Sequence, residues 1–260
     1  MIKRNFNRYT RRVAGRLLDA LCVIFDLFSQ TSSKVTLVRK SLDFEKSSRF
    51  LVFVFYGPII MKRHLDFLNS MSKKGIHVVV VSNGCENIGD NQLLNLSIVR
   101  RKNIGRDLAA YRDAIRIILD KGEGELQYIF LINDTMTWDD RIIDCLLARF
   151  DSNIDVLSIT KSYQIIPHIQ TFGLLVRGSV ASRFVKYSNW RNWKLKRTIV
   201  FRGEIMLQRR LENHGLRVGS LIDGEALQKK YLRTDEFPLN PTNELADHLA
   251  KEIFGIRKIK

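Results

Sequence analysis

An aspartate follows a strongly apolar stretch in the middle of the chain. Residues 128–132 (YIFLI) are all large and apolar, and Asn133 and Asp134 come directly after them. A carboxylate at the mouth of a buried strand is costly unless something compensates its charge. A divalent cation bridging the carboxylate to a diphosphate would do so, because hard ions such as Mg²⁺ or Mn²⁺ take oxygen ligands. Asp134 is therefore predicted to hold a metal ion, and capping the following turn is the alternative role.

A loop upstream of this strand supplies groups that can bind anions. Asn103 and Gly105 precede a predicted helix, where backbone N–H groups can face a phosphate or a sugar hydroxyl. Arg106 can contact phosphate through two parallel hydrogen bonds. Asp107 either binds a sugar or ribose hydroxyl or caps the helix, and the sequence leaves both roles open. Asn133 either joins this site or hydrogen-bonds its own turn, which asparagine does well.

Further candidate residues lie downstream, between residues 168 and 204. Attack by a hydroxyl needs a general base, and Glu204 is the candidate; an acid at a helix start is also favourable for dipole reasons alone. His168 is predicted either to contact a diphosphate or metal or to be structural. Residues 181–202 hold seven basic side chains and no acids, with Trp190 and Trp193 among them. Such a pattern binds sugars, a membrane interface or single-stranded nucleic acid, or forms a solvated helix with two partly buried tryptophans.

Several other kinds of chemistry lack their sequence signatures. The chain has no glycine-rich dinucleotide fingerprint, no Walker loop and no serine nucleophile elbow. Its three cysteines are widely spaced, which indicates neither a disulfide framework nor a zinc site and fits a reducing cytosol. No stretch matches the roughly 20 mostly apolar residues that a membrane-spanning helix needs. Hydride transfer, P-loop hydrolysis and serine hydrolysis are therefore disfavoured.

Hydrophobic periodicity predicts the elements that position these residues. Near-continuous apolar strands alternate with helices, which is typical of an α/β fold with a mostly parallel sheet flanked by helices. In such sheets, ligands bind beyond the carboxyl ends of the strands, where Asp134 would lie. The predicted strands are 35–39, 50–56, 76–82, 96–101, 128–133 and 155–160, and the predicted helices are 62–74, 106–121, 139–150 and 242–254.

Charge points to an acidic partner. The chain has 43 Lys and Arg against 27 Asp and Glu, a formal charge of +16, as expected for a protein that binds nucleic acid, anionic membranes or phosphorylated molecules. Residues 1–16 contain six basic side chains and no acids, and 9–29 has the periodicity of an amphipathic helix. This helix is predicted to lie on an anionic membrane surface, or to dock on its own domain or on a second copy.

The stretch 100–135 (RRKNIGRDLAAYRDAIRIILDKGEGELQYIFLINDT) resembles a known family. It is similar to the rhamnan synthesis protein F family of bacterial polysaccharide assembly and, more distantly, to inverting rhamnosyltransferases of the GT-A class. The resemblance covers roughly residues 50–225. Weaker segments are 168–180, which is similar to a single strand of the family, and 201–223, which is similar to its final acid, helix and glycine-terminated turn. The resemblance implies that His168, Trp190 and Trp193 lie on the acceptor side. The residues that match the family's motif are Asn103, Gly105, Arg106, Asp107, Tyr111, Asn133, Asp134 and Thr135.

The resemblance implies a GT-A-like glycosyltransferase. Its expected parts are a basic amphipathic segment and connector at 1–48, the transferase domain at 49–225 and a helical extension at 226–260. The implied donor is a nucleoside-diphosphate sugar, dTDP-rhamnose or another deoxyhexose, and the implied acceptor is a growing polysaccharide, lipopolysaccharide or lipid-linked sugar at the inner face of the plasma membrane. A cytoplasmic, peripheral protein is expected. A non-catalytic scaffold of the same fold is the alternative, and a nucleic-acid-binding protein ranks last because no recognised motif is present.

Overall fold

The computed structural model describes residues 21, 22, 24–26, 34–41, 43–57, 59–84, 96–122, 124–136, 138–151, 153–163 and 166–223. The predicted helix at 242–254 and the extension 226–260 lie outside the described residues. Of the predicted helix at 9–29, only 21, 22 and 24–26 are described, and these are helical. Within the described parts of the chain, no helix is long and apolar enough to cross a membrane.

The described strands form one nine-stranded sheet in the order β1-β4-β3-β2-β5-β8-β6-β7, with β9 pairing with β6. Strands β2, β3, β4, β5, β6 and β9 run in one direction, which confirms the predicted α/β class and mostly parallel sheet; β1, β7 and β8 run the other way. Their bounds are β1 Val35–Arg39, β2 Arg49–Phe55, β3 His77–Asn83, β4 Ser97–Arg101, β5 Tyr128–Asn133, β6 Val156–Ser162, β7 His168–Ile169, β8 Gly173–Arg177 and β9 Val218–Asp223.

Helices cover both faces of the sheet because its strands alternate apolar side chains between two clusters. In β2, Leu51, Phe53 and Phe55 join the cluster that contains α1 and α3. The intervening β2 residues join the cluster that contains α2, α4 and α6. The helices are α1 Lys62–Lys73, α2 Arg106–Lys121, α3 Asp140–Arg149, α4 Ala181–Ser188 and α5 Lys196–Thr198, which runs into a π-helical turn Ile199–Ile205 and then α6 Leu207–Asn213.

Two strands differ from the expected arrangement. The connector strand β1 pairs antiparallel with β4, so the sheet begins inside the segment that the sequence assigns to the connector. The single strand expected after residue 168 is two strands, β7 and β8. Strand β8 lies between β5 and β6 and is antiparallel to both, because the chain returns to the sheet after β6 in the opposite direction.

The sheet changes its winding direction at β2. From β2 the chain proceeds outward through β3 and β4, whereas β5 lies on the other side of β2. Helices α1 and α3, which follow β2 and β5, lie on one face of the sheet, and α2, which follows β4, lies on the other. In open α/β sheets, ligands bind beyond the carboxyl ends of the strands, near such a change of winding. The backbone N–H of Asp134 donates to the Val54 carbonyl at 3.0 Å, which fixes Asp134 at this point.

Candidate functional site

The carboxyl ends of the parallel strands bring two acids, Asp107 and Asp134, near Tyr56, and a third acid, Glu204, lies near Asp107. Tyr56 follows β2, Asp107 lies in the first turn of α2, Asp134 follows β5 and Glu204 lies in the π-helical turn. Burial first, and then the charges of Asp107 and Asp134, raise the pKa of the Tyr56 hydroxyl. These four residues are called the carboxyl-edge site. Tyr56 was not predicted from the sequence, although a hydroxyl-bearing aromatic directly after a buried strand was an available signal.

Asp134 ties two strand ends together. Its Oδ2 accepts a hydrogen bond from the Tyr56 backbone N–H at 3.0 Å, and burial raises the pKa of its carboxyl. Within the described ranges, no three His, Cys, Asp or Glu side chains are placed to hold a metal ion together. A cation at Asp134 would take one ligand from the protein and the rest from water and phosphate, a set that Mg²⁺ accepts. The metal role of Asp134 stays a prediction.

Asn133 and Asp107 form one hydrogen-bonded unit. Asn133 Nδ2 donates to Asp107 Oδ2 at 2.9 Å, and Asn133 Oδ1 accepts from the Thr135 hydroxyl at 2.6 Å. Asn133 therefore bonds its own turn and joins the site, so both of its predicted roles occur together. The Asp107 carboxyl also accepts from its own backbone N–H and that of Leu108, while burial raises its pKa. The Asp107 carboxyl therefore binds backbone N–H groups at the start of α2 that were predicted to face a phosphate.

The loop before α2 has an unusual backbone. Gly105 has φ 77° and Arg106 has φ 53°, both in the left-handed region. A Cβ at Gly105 would lie 2.6 Å from the Arg191 carbonyl oxygen, so only glycine permits this close approach. A non-glycine residue such as Arg106 rarely adopts positive φ, and such residues concentrate at binding sites. The exposed Arg106 side chain lowers the pKa of both Asp107 and Glu204, against the larger effect of burial.

A buried network of charges holds this loop in place. Arg101 donates from Nη2 to the Ile104 carbonyl at 2.6 Å and from Nε to Asp113 Oδ2 at 3.1 Å. Arg112 pairs with the same aspartate and donates to Asn192 Oδ1 at 2.9 Å. The network therefore links the loop before α2 to the segment after α4. Sequence reasoning missed it, and the signal was an acid, Asp113, on the apolar face of α2.

Glu204 is close to Asp107, as a general base in this site requires. Burial, with the Asp107 charge second, raises the pKa of Glu204 to about 7. The neighbouring Gly203 lies directly against α2, since a Cβ there would be 2.2 Å from Leu108 Cδ1. The expectation that Glu204 opens a helix is wrong, because it lies near the end of the π-helical turn. The dipole explanation for this acid therefore loses its basis.

The three acceptor-side candidates are all buried. Trp190 is 2% exposed, packs edge-on against Phe184 and donates from Nε1 to the Gly203 carbonyl at 3.0 Å, so it is a core residue rather than a stacking surface. His168 is 7% exposed and its Nδ1 donates to the Ile166 carbonyl at 2.8 Å; burial lowers its pKa, which favours the neutral ring.

Trp193 is 3% exposed and borders a cavity beside the carboxyl-edge site. The cavity has a volume of about 260 Å³ and is called the side cavity. Residues 103–106 line it together with Trp193, Lys194 and Ile199. The loop predicted to bind the donor and the segment predicted to bind the acceptor therefore meet at one space.

Comparisons with known proteins leave the chain without an assigned family. No family model matches it, so the resemblance to rhamnan synthesis protein F is not confirmed. Over 263 residues it is 26% identical to an uncharacterized protein, y4gN, of Sinorhizobium fredii (strain NBRC 101917 / NGR234), which covers 92% of this chain. The chain spans 66% of the length of that relative.

The fold is weakly similar to that of solved structures. One of them is 4-diphosphocytidyl-2C-methyl-D-erythritol synthase of Anaerococcus prevotii, with a TM-score of 0.43 and 10% sequence identity, over 68% of this chain and 90% of that one. A similarity at this level assigns no function. The residues of the carboxyl-edge site are therefore the basis on which a function is inferred.

Proposed function

We propose that the protein is a glycosyltransferase that moves a sugar from a nucleoside diphosphate to an acceptor hydroxyl. The observation that carries the proposal is Glu204, a partly buried acid with a pKa of about 7 beside Asp107, which lies at the carboxyl ends of the strands. A base works best when its pKa lies near the working pH, because it is then both ionised and able to hold a proton. Paired acids with raised pKa values in a crevice are typical of catalytic sites.

The proposed reaction is a single inverting displacement. Glu204 takes the proton of the acceptor hydroxyl, and that oxygen attacks the anomeric carbon from the face opposite the diphosphate. The bond from the anomeric carbon to the diphosphate oxygen breaks, and the leaving group takes the bonding electron pair. Arg106, exposed at the mouth of the site, neutralises part of the charge that develops on the diphosphate. A cation at Asp134 would supply further neutralisation as a Lewis acid.

The donor and acceptor classes follow from the family resemblance. A deoxyhexose such as rhamnose on dTDP is the proposed donor, and a surface polysaccharide or its lipid-linked precursor is the proposed acceptor. Asn103, Gly105 and Asp107 are the proposed donor contacts with Asn133 and Asp134. These assignments match the place of the residues at the strand ends, where α/β sheets bind their ligands.

A scaffold without activity is the second candidate, and one observation favours it. The carboxyl of Asp107 already accepts from Asn133 and from two backbone N–H groups. A carboxyl that already accepts hydrogen bonds from the protein has fewer free acceptor positions for a ligand. Binding of a nucleotide sugar separates the two candidates, since the scaffold has no reason to bind one.

The test is donor binding and sugar transfer by the Asp134→Asn variant. Asparagine keeps an oxygen that can accept from the Tyr56 N–H, so the fold and melting temperature should be preserved. We expect the wild-type protein to bind dTDP-rhamnose more tightly with Mn²⁺ than without, and the variant to lose transfer and the Mn²⁺ effect. Asp120→Asn is the matched control, because that side chain is 73% exposed and lies at the far end of α2.

Two outcomes would contradict the proposal. Calorimetry that detects no binding of any nucleoside-diphosphate sugar to the wild-type protein would support the scaffold. Transfer at the wild-type rate in Asp134→Asn would remove Asp134 and its cation from the mechanism.

A further inference from the structure

The helical turn at residues 21, 22 and 24–26 exposes its large apolar side chains and buries its acid. Leu21, Ile24 and Phe25 are spaced to share one helix face, and they are 62%, 49% and 58% exposed. Asp26, the acid of the turn, is only 1% exposed. A surface helix normally buries its apolar face and exposes its charges. None of the described residues covers this outward face of Leu21, Ile24 and Phe25, which is called the apolar face below.

Asp26 connects this turn to the wall of the side cavity. Its Oδ1 accepts from the Lys194 backbone N–H at 3.0 Å, and its Oδ2 accepts from the Leu195 N–H at 3.3 Å. These two N–H groups lie just before the helical segment that begins at Lys196 and carries Glu204. Lys194 and its neighbour Trp193 line the cavity. The turn thus fixes the backbone that leads to the proposed base.

The charge of the segment that Asp26 holds indicates which occupant the apolar face fits. The segment 191–197, which contains both partners of Asp26, carries four cations and no acids, and all four are exposed: Arg191, Lys194, Lys196 and Arg197. Apolar side chains next to clustered Lys and Arg are the signature of a helix that lies in an anionic lipid interface. A second copy fits less well, because three side chains are far below the roughly 800 Å² per partner of a stable interface. It would also bring like charge against like charge.

We propose that the apolar face and the basic segment 191–197 dock on an anionic lipid bilayer, and that Asp26 transmits docking to the side cavity. Docking itself does not depend on the proposed function; only the benefit to a lipid-linked acceptor rests on it. Since Asp26 holds the backbone at 194–195, a turn anchored in the interface restrains the segment that lines the cavity. The wall of the side cavity would then be most ordered when the protein is on the membrane, where a lipid-linked acceptor is found.

The first experiment measures docking by sedimentation with vesicles of phosphatidylcholine, with and without phosphatidylglycerol. The full chain should bind only the anionic vesicles, and added salt should weaken the binding. The triple variant Leu21→Ser, Ile24→Ser, Phe25→Ser should bind roughly tenfold or more weakly. The double variant Val38→Ser, Leu119→Ser is the control, because it removes exposed apolar side chains elsewhere and should bind as the wild type does.

Three results would overturn docking on lipid. They are equal binding by the triple variant, equal binding to neutral vesicles, and a wild-type dimer that the triple variant converts to a monomer. The last result would show that a second copy covers the apolar face. None of them depends on sugar transfer, so failure here is distinct from failure of the proposed glycosyltransferase.

The second experiment measures the coupling by hydrogen exchange at the backbone amides of Lys194 and Leu195. Anionic vesicles should slow exchange at both amides in the wild-type protein. In Asp26→Ala the vesicles should still bind, but the slowing should disappear, whereas Asp26→Asn should keep part of it because the amide oxygen still accepts. Slowing of the wild-type size in Asp26→Ala would refute the coupling, and so would its absence in the wild-type protein.

Discussion

The amino and carboxyl edges of the central sheet, where its parallel strands begin and end, differ in how completely burial neutralises their ionisable side chains at pH 7. At the amino edge, His77 Nε2 lies 2.9 Å from Ser97 Oγ and 3.4 Å from Ser41 Oγ. Burial lowers the pKa of His77 to about 4, so the ring is neutral at pH 7. At the carboxyl edge, burial raises the pKa of Glu204 to about 7, and that of Asp107 is also raised. At pH 7 the ring at the amino edge is therefore neutral and hydrogen-bonded, whereas Glu204 at the carboxyl edge is only partly neutralised.

Cavity size alone would select the wrong edge. The cavity beside His77 has a volume of about 540 Å³, against about 260 Å³ for the side cavity. The larger cavity borders a ring that is neutral and hydrogen-bonded. The smaller one borders Arg106, which has a left-handed backbone and lies near Glu204, whose pKa is raised to about 7. A buried group with a strongly shifted pKa lowers the stability of the fold at some pH values. Such a group therefore indicates function better than cavity volume does.

The largest expected effect is on the rate of sugar transfer. Glu204→Gln keeps the shape of the side chain and removes the base, so transfer should fall by about 10²–10⁴-fold with little change in donor affinity. His77→Gln at the other edge should leave the transfer rate unchanged. Steady-state kinetics and donor calorimetry on both variants provide the check. Equal rates for wild type and Glu204→Gln would end the claim that the carboxyl edge is the catalytic one.

The pH dependence of stability should have opposite signs at the two edges. Glu204 binds its proton more tightly in the folded state, so its contribution is intact below its ordinary pKa of 4.5 and is lost as pH rises to about 7. The folded-state pKa of His77 is depressed, so its contribution is intact above 6.5 and is lost as pH falls to about 4. Each change amounts to roughly 3 kcal/mol.

Denaturant unfolding of two variants across this pH range measures both slopes. Glu204→Gln should gain stability over the wild type as pH rises from 4.5 to 7, and His77→Gln should gain over it as pH falls from 6.5 to 4. Curves that stay parallel to the wild type would show that neither group has a shifted pKa in the folded protein.

A smaller contrast is expected from one glycine at each edge. Gly75 at the amino edge and Gly105 at the carboxyl edge have φ of 73° and 77°. A Cβ at Gly75 meets only the flexible tip of Arg49 at 3.0 Å, so Gly75→Ala should cost about 1–2 kcal/mol of unfolding free energy. Gly105→Ala meets fixed backbone at Arg191 and should cost about 1–3 kcal/mol more. An equal loss of unfolding free energy in the two variants would show that the backbone of the loop before α2 can shift to accommodate the added methyl group.

Local patterns predicted much of this architecture. The helix at 106–121 and the strand at 128–133 have the same bounds in the structure, because apolar periodicity, and the glycines that flank the helix, are local signals. Strand β8 was not separated from β7, since the direction in which a strand pairs depends on a partner far away in the chain. The network of Arg101, Asp113 and Arg112 was missed for the same reason.

The amino-acid sequence by itself determined the α/β class, the order of the elements before β7 and the placement of Asp134 at a strand end, because these follow from periodicity along the chain. Only the tertiary structure decided what those residues touch. In the folded protein Trp190 and Asp26 are buried. Glu204 lies in the π-helical turn near Asp107 and not at a helix start. Burial and the approach of distant charges shift a pKa, and both arise only when segments far apart in sequence pack together.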